Sequence, residues 1–119
     1  MLTKTGALEI YLAPLQWPGW IWALDVEKNL EGTGLINRAL GLNDQMVLGW
    51  IADPSTYPSV LRKKSVVLWK SRMLTKHYRF IPHLIWSNEV VLVSWARLDL
   101  SILGPDNPAL LSYPSQTHM

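Results

Sequence analysis

The chain has 119 residues, of which 49% are hydrophobic and only 17% are charged, and its formal net charge at pH 7 is +2. This length is typical of one domain, and the low charge excludes a disordered, solvating polypeptide. The sequence contains no cysteine, which excludes disulfides, a thiolate nucleophile, an iron–sulfur cluster and a zinc finger. The absence of disulfides favours the cytoplasm or another reducing interior compartment.

Short apolar segments separated by proline and glycine run along the sequence. In the first of them Leu8, Ile10 and Leu12 alternate with other residues, which is the period of a half-buried strand. The strands predicted in this way cover residues 7–13, 20–26, 45–51, 65–73, 77–81 and 90–102. We expect 65–73 and 77–81 to form a hairpin that turns near residues 75 and 76.

One short helix is predicted near residues 35–41. Its apolar residues Leu35, Ile36, Ala39 and Leu40 have helical spacing, and Gly41 stands where a left-handed residue would end the helix. The polar segment 27–34 is interpreted as a turn. Five or six strands with one helix predict a mainly β, β-rich α+β fold, in which a small antiparallel sheet curls as a barrel or packs as a sandwich.

The predicted globular domain covers residues 1–103. The remaining segment, 104–119, contains Pro105, Pro108 and Pro114 and is expected to be an irregular tail. The longest uncharged run, residues 10–24, is interrupted by prolines and is shorter than the roughly 20 residues that a membrane-spanning helix needs. We therefore expect no transmembrane segment.

Seven tryptophans are unusual in a chain of this size. One indole side chain can bury on the order of 150–250 Å², so most of them are expected in the core. Trp22, Trp50 and Trp95 lie within predicted strands and are the strongest candidates for burial. Apolar surface beyond what one small domain can cover is usually buried between chains, and we therefore expect self-association.

The charges are segregated along the sequence. Residues 1–55 have a net charge of −3, whereas residues 56–83 contain seven basic residues and no acidic ones. The candidate partner-binding residues are the basic side chains of this segment and one aromatic residue: Arg62, Lys63, Lys64, Lys70, Arg72, Lys76, Tyr78 and Arg79. On a hairpin, Lys70, Arg72, His77 and Arg79 would form a compact cationic patch.

Such a segment has several interpretations. Lysine and arginine neutralise phosphates and aromatic rings stack on bases, so RNA or single-stranded DNA would fit. An acidic protein would use the same charges, as would an anionic membrane surface, although peripheral membrane contact is the weaker alternative. The charges could also be a solvated sheet face that discourages aggregation, or they could pair internally with the acidic first half.

No catalytic constellation is recognisable. His77, His83 and His118 lack the spacing of a metal site and are interpreted as satisfied or surface histidines, while Asp25 and Glu27 are interpreted as turn residues. The sequence contains neither a phosphate-binding loop nor a nucleophile elbow. We therefore predict no enzymatic activity, metal or cofactor. Two functions remain: a non-catalytic, oligomeric protein-binding or assembly subunit, or a nucleic-acid-binding module that uses residues 62–83.

Overall fold

The computed structural model describes residues 2–5 and 8–113, with side chains from residue 8 onward. The described chain forms nine strands, β1 (Leu2–Thr5), β2 (Leu8–Tyr11), β3 (Ile21–Trp22), β4 (Ser65–Val67), β5 (Met73–Leu74), β6 (Arg79–Ser87), β7 (Val90–Arg97), β8 (Ile102–Leu103) and β9 (Ala109–Ser112). Its α-helices are α1 (Ala23–Gly32) and α2 (Gln45–Ala52). About 33% of the structure is strand and 32% is helix, when short 3-10 turns are included with the helices.

One open sheet organises the molecule. Its strand order is β1-β2-β9-β4-β6, with β7 along one edge of β6 and β5 beyond β4 along the other. Neighbouring strands are antiparallel except β4 and β9, which meet in parallel at Val67 and Ala109. Strands β3 and β8 form a separate antiparallel ribbon in which Trp22 lies opposite Ile102.

Both faces of this sheet are covered, and each has its own core. Ile81 of β6 belongs to the core that contains Val26 and Leu30 of α1. Leu84, three residues later on the same strand, belongs to the core that contains Val47 and Trp50 of α2. This division follows from the alternation of side chains along a strand. The β-rich α+β prediction is confirmed at this level, but the described residues form an open, two-sided sheet and no closed barrel.

The prediction of a strand over 20–26 is confirmed only at Ile21–Trp22, and that of a turn over 27–34 only at residues 33 and 34. The rest is wrong, because α1 begins at Ala23 and continues to Gly32. The residues that α1 buries are Ala23, Val26, Glu27 and Leu30. Their spacing of three, four and seven residues is that of one helix face. The predicted strand relied on an alternation of apolar residues that includes Trp22, but the structure leaves the Trp22 side chain exposed.

Residues 45–51 were also predicted as a strand and instead form α2. This helix buries only Val47 and Trp50, three residues apart, and exposes other apolar side chains. The predicted helix over 35–41 is only a 3-10 turn, Leu35–Arg38. The chain then becomes extended, so that the Leu40 N–H donates to the Leu110 carbonyl at 3.0 Å.

The expected basic hairpin is confirmed in part. Strand β5 pairs with β6 in the register Met73 to Phe80, and the turn between them closes where the Thr75 N–H donates to the Tyr78 carbonyl at 2.8 Å. The predicted long strand 65–73, however, is broken by the 3-10 turn Trp69–Ser71. The predicted strand 90–102 is likewise divided into β7, the 3-10 turn Leu98–Leu100, and β8.

The segment after residue 103 is not wholly irregular. Strand β9 lies in the middle of the sheet and pairs with β2 along its whole length, from Ala109 opposite Tyr11 to Ser112 opposite Leu8. The prediction of an irregular tail is therefore wrong for residues 109–112, and residues 114–119 lie outside the described part. No helix in the described ranges is long and apolar enough to cross a membrane.

Candidate functional site

Two of the predicted partner-binding residues converge on a buried carboxylate. Glu27 of α1 has a side chain that is only 6% exposed, and its Oε2 accepts from Arg72 Nη1 at 2.7 Å and from Arg79 Nη2 at 2.5 Å. Glu31, one turn later on α1, lies 3.4 Å from Arg72. Arg72 and Arg79 do come together, but around an acidic residue of the first half of the chain.

Two predicted lysines also have acidic neighbours. Lys64 Nζ lies 3.7 Å from Asp106 Oδ1, and Lys70 Nζ lies 3.8 Å from Asp44 Oδ1. Each pair has one largely exposed partner and an N–O distance near 4 Å, so each contributes little to folding. They nevertheless offset the positive charge at those two points of the surface.

Arg62 is part of a stack of three planar groups. Its guanidinium lies 4.2 Å from the centre of the Trp86 ring, and Trp86 in turn stacks on Tyr57 with centroids 5.8 Å apart. Beside this stack is a cleft of about 440 Å³, lined also by the carboxylates of Asp53 and Glu89. Burial raises the pKa of Tyr57 well above its ordinary value.

The remaining predicted residues are exposed. Lys63 and Lys76 project into solvent, and Tyr78 is 45% exposed with the Arg97 guanidinium 3.9 Å from its ring centre. Arg97 also donates two hydrogen bonds to Asp99. Those bonds raise the pKa of Arg97 and lower that of Asp99. The basic segment is therefore neutralised at many points, which is the internal pairing with acidic residues that the sequence left open.

The tryptophans divide into two groups. Trp50 and Trp69 are buried, as Trp50 was predicted to be, and Trp86 is half-buried in its stack. The prediction that Trp22 and Trp95 are buried is wrong, because they are 55% and 42% exposed. The most exposed apolar aromatic side chains are Trp17, Trp20, Trp22 and Trp95.

Trp20, Trp22 and Ile102 form an exposed cluster, hereafter the tryptophan surface. Trp22 lies opposite Ile102 in the β3–β8 ribbon, so both side chains leave the same face, and the three residues line one shallow depression. Their exposed fractions are 68%, 55% and 51%. The ribbon therefore turns an apolar face to solvent.

The opposite face of the same ribbon is anchored in the core. Leu103 is 1% exposed and Ile21 packs against the core that contains α1. Trp20 lies so close to the backbone at Gly104 that a Cβ there would meet the indole at 2.8 Å. Gln16, which is buried, donates from Nε2 to the carbonyls of Gly104 and Asn107. The tryptophan surface is thus held on a fixed support.

The exposed area of this surface is that of an extended apolar patch. The three side chains expose on the order of 350 Å². The largest contiguous apolar patch on a typical monomeric protein covers roughly 300–600 Å² and often has a function. A standard protein–protein interface buries about 800 Å² on each partner, so the tryptophan surface and a polar rim would fill one.

One histidine has a polar neighbour that could suggest catalysis. The Ser65 hydroxyl lies 2.9 Å from His83 Nδ1, while His83 Nε2 is buried and has no partner among the described residues. Burial lowers the pKa of His83. The pair lacks a carboxylate that would orient the imidazole, as a hydrolase triad requires. In the described ranges no three histidine or acidic side chains lie close enough to hold a metal ion.

The fold and its surfaces define a small α+β domain with an open sheet covered on both faces and one exposed tryptophan-lined ribbon. No family model, curated protein or solved structure matches this chain. Function is therefore argued from the surfaces themselves.

Proposed function

We propose that this protein is a non-catalytic, self-associating protein-binding subunit that helps to assemble a larger complex, and that a partner protein docks on the tryptophan surface. One observation supports this above all others: Trp20, Trp22 and Ile102 share one exposed face although the domain has two well-filled cores. Tryptophan is the residue most enriched among those that dominate binding energy at protein interfaces.

The supporting ribbon favours a stable docking platform. Binding costs less free energy when the side chains that make contact are already ordered in the free protein. The backbone of Trp22 is held by pairing with Ile102, and Trp20 rests on Gly104. An apolar partner surface would therefore be met by indoles whose orientation is largely set before binding.

Nucleic-acid binding through residues 62–83 is the alternative function. Phosphate binding needs cationic groups that are free to replace counterions. Arg72 and Arg79 already share Glu27, while Lys64 and Lys70 face Asp106 and Asp44. Arg62 lies on the Trp86 ring, so Lys63 and Lys76 are the exposed cations of the set with no such neighbour among the described residues. Few cations are therefore free to bind phosphate, and this favours the protein-binding function over the nucleic-acid one.

The test is affinity capture with a matched control. Wild-type protein, a Trp20→Ser/Trp22→Ser variant and a Leu74→Ser/Val60→Ser control are immobilised and exposed to a lysate of the native cells, with and without nuclease. Leu74 and Val60 are exposed apolar side chains that lie outside the tryptophan surface. We expect the wild type and the control to retain the same protein, and the tryptophan variant to lose it.

The retained protein is then purified and its affinity measured directly at low and high salt. An apolar interface changes little with salt, whereas affinity for nucleic acid falls steeply. Equal affinity for the tryptophan variant would refute docking at this surface. Binding that disappears with nuclease or with salt, and that depends on Lys63 and Lys76, would establish the nucleic-acid function instead.

A further inference from the structure

Strand β7 has one unpaired edge. It pairs with β6 from Val90 opposite Ser87 to Arg97 opposite Phe80, and no other strand of the described chain pairs with it. Beyond the buried Val91, its side chains are exposed on both faces of the sheet: Leu92 is 49% exposed on one face, and Val93 and Trp95 are 37% and 42% exposed on the other.

This edge lacks the usual protection against pairing. Natural proteins shield exposed edge strands with charged residues, prolines, bulges or a covering loop. The residues from Val90 to Ala96 contain no charge and no proline, and their pairing with β6 is regular at every position. Seven uncharged residues of open edge therefore form a template for another strand.

The hairpin geometry determines which backbone groups face outward. Strands β6 and β7 are joined by the two-residue loop Asn88–Glu89, and both loop residues have positive φ, 51° and 61°, as a type I′ turn requires. The residues that flank such a loop, Ser87 and Val90, form a hydrogen-bonded pair. Because hydrogen-bonded and non-bonded pairs alternate, the N–H and C=O groups of residues 91, 93, 95 and 97 point away from β6.

We propose that this edge pairs with the β7 strand of a second copy of this chain, antiparallel about a two-fold axis, with Val93 opposite its own copy. This inference rests on the self-association in the proposed function and names the surface and register that produce it. In this register residues 91 and 95 lie opposite each other, and the outward backbone groups of the two copies form about six hydrogen bonds.

Charge complementarity selects this register. The first charged residue before the strand is Glu89 and the last residue of the strand is Arg97. With Val93 as the centre, Glu89 of one copy lies beside Arg97 of the other at both ends of the interface. A shift by two residues in either direction breaks this match. Asp99 uses two of the five N–H groups of Arg97, so the guanidinium retains donors for a second carboxylate.

The side chains are self-complementary in the same register. Leu92 lies opposite Ser94 on one face, and Val91 lies opposite Trp95 on the other, so each large side chain meets a smaller one. A two-fold interface requires such complementarity, because the same strand supplies both halves. The tryptophan surface lies on the separate β3–β8 ribbon and includes no residue of β7.

The absence of cysteine from the sequence permits a site-specific test. In the proposed dimer the two Cα atoms of residue 93 are about 5.5 Å apart, within the range of a disulfide. The two Cα atoms of residue 94 are about 8.5 Å apart, beyond that range. We expect full-length Val93→Cys protein to form a disulfide-linked dimer under mild oxidation, and the Ser94→Cys control to remain largely uncrosslinked.

Light scattering completes the experiment. Wild-type protein at micromolar concentration should have about twice the monomer mass of 13.6 kDa. Leu92→Lys should return it to the monomer mass while it still unfolds cooperatively, with a melting temperature lowered only by the lost stabilisation from association. Glu89→Lys should weaken the dimer several-fold by placing a lysine beside Arg97. A dimer that crosslinks equally at 93 and 94, or that persists in Leu92→Lys, would overturn the β7 interface but leave self-association intact. A monomeric wild type would overturn both, whereas capture by the tryptophan surface is measured independently.

Discussion

The buried carboxylate of Glu27 makes folding depend on the two arginines that bind it. We expect Arg72→Met/Arg79→Met to be strongly destabilising, because it leaves a charged side chain that is only 6% exposed without either of its partners. Removing the partner of a buried charge costs about 3–5 kcal/mol, whereas losing one of two charge-assisted hydrogen bonds costs about 1.5–3 kcal/mol. The double variant should lose a large part of the 5–15 kcal/mol that holds a typical domain.

A substitution of Glu27 itself distinguishes the cost of the unpaired buried charge from the cost of the packing lost with the two arginines. Glu27→Leu added to the double variant removes the unpaired charge and should restore stability to within about 1–2 kcal/mol of the wild type. The measurement is urea unfolding followed by circular dichroism. Lys64→Met/Lys70→Met, which removes two exposed ion pairs, is the matched control and should change the free energy of unfolding by less than about 1 kcal/mol.

Two results would refute this reasoning. The first is an Arg72→Met/Arg79→Met protein whose free energy of unfolding lies within about 1 kcal/mol of the wild type. The second is a triple variant that is no more stable than the double one. The same contacts predict the effect of reversing Lys70, Arg72 and Arg79 to Glu: two new carboxylates would lie against Glu27, and the variant would be strongly destabilised.

Three further predictions use single residues. Tyr57→Phe should leave stability unchanged or raise it by up to about 1 kcal/mol, because the buried hydroxyl has no partner among the described residues. Tyr11→Phe loses a 2.5 Å hydrogen bond to Asn29 and should cost about 1 kcal/mol. Thermal melts of the two variants test this difference. Burial holds the pKa of His83 in the folded state below the ordinary 6.5. As the pH falls below 6.5, the unfolded state therefore binds a proton at His83 before the folded state does. Stability should then fall by up to about 1.4 kcal/mol per pH unit until the folded-state pKa is reached; a flat profile in the wild type, or the same slope in His83→Gln, would contradict this. Trp50→Ala should cost about 3–5 kcal/mol in urea unfolding and Trp22→Ala less than about 1 kcal/mol, and equal losses would show that the two are equally buried.

Local periodicity predicted the sheet better than the helices. The strand at residues 8–11 and the β5–β6 hairpin follow from alternation and turn residues. The segment that forms α1 carries two periods at once: Trp20, Trp22 and Val26 alternate, while Ala23, Val26 and Leu30 have helical spacing. The exposed tryptophans fit the period of a strand, and they therefore favoured the wrong prediction. Helix α2 is apolar on most of its surface, so no period stands out.

The candidate sites could be predicted only in part, because they depend on contacts between distant residues. The sequence shows that residues 56–83 are basic, but Glu27 lies 45 residues from Arg72 and 52 from Arg79. Nothing in a linear pattern indicates that α1 brings this acid to β6. The pairing of Trp22 with Ile102 could not be predicted for the same reason, since the two strands of the ribbon are far apart in the sequence. The excess of tryptophan was the signal in the sequence that pointed to apolar surface beyond the core.

The central position of β9 determines when the protein can fold during synthesis. Its neighbour β2 is complete at Tyr11, but β9 begins only at Ala109, and ribosomes add about 5–20 residues per second. The nascent chain therefore presents β2 for about 5 to 20 s, and β4 for about 2 to 8 s, without the strand that joins them. During that interval the future interior of the sheet is accessible to chaperones and to other nascent chains. Because translation speed sets the length of this exposure, slow codons between residues 12 and 108 would lower the yield of folded protein without changing a single amino acid.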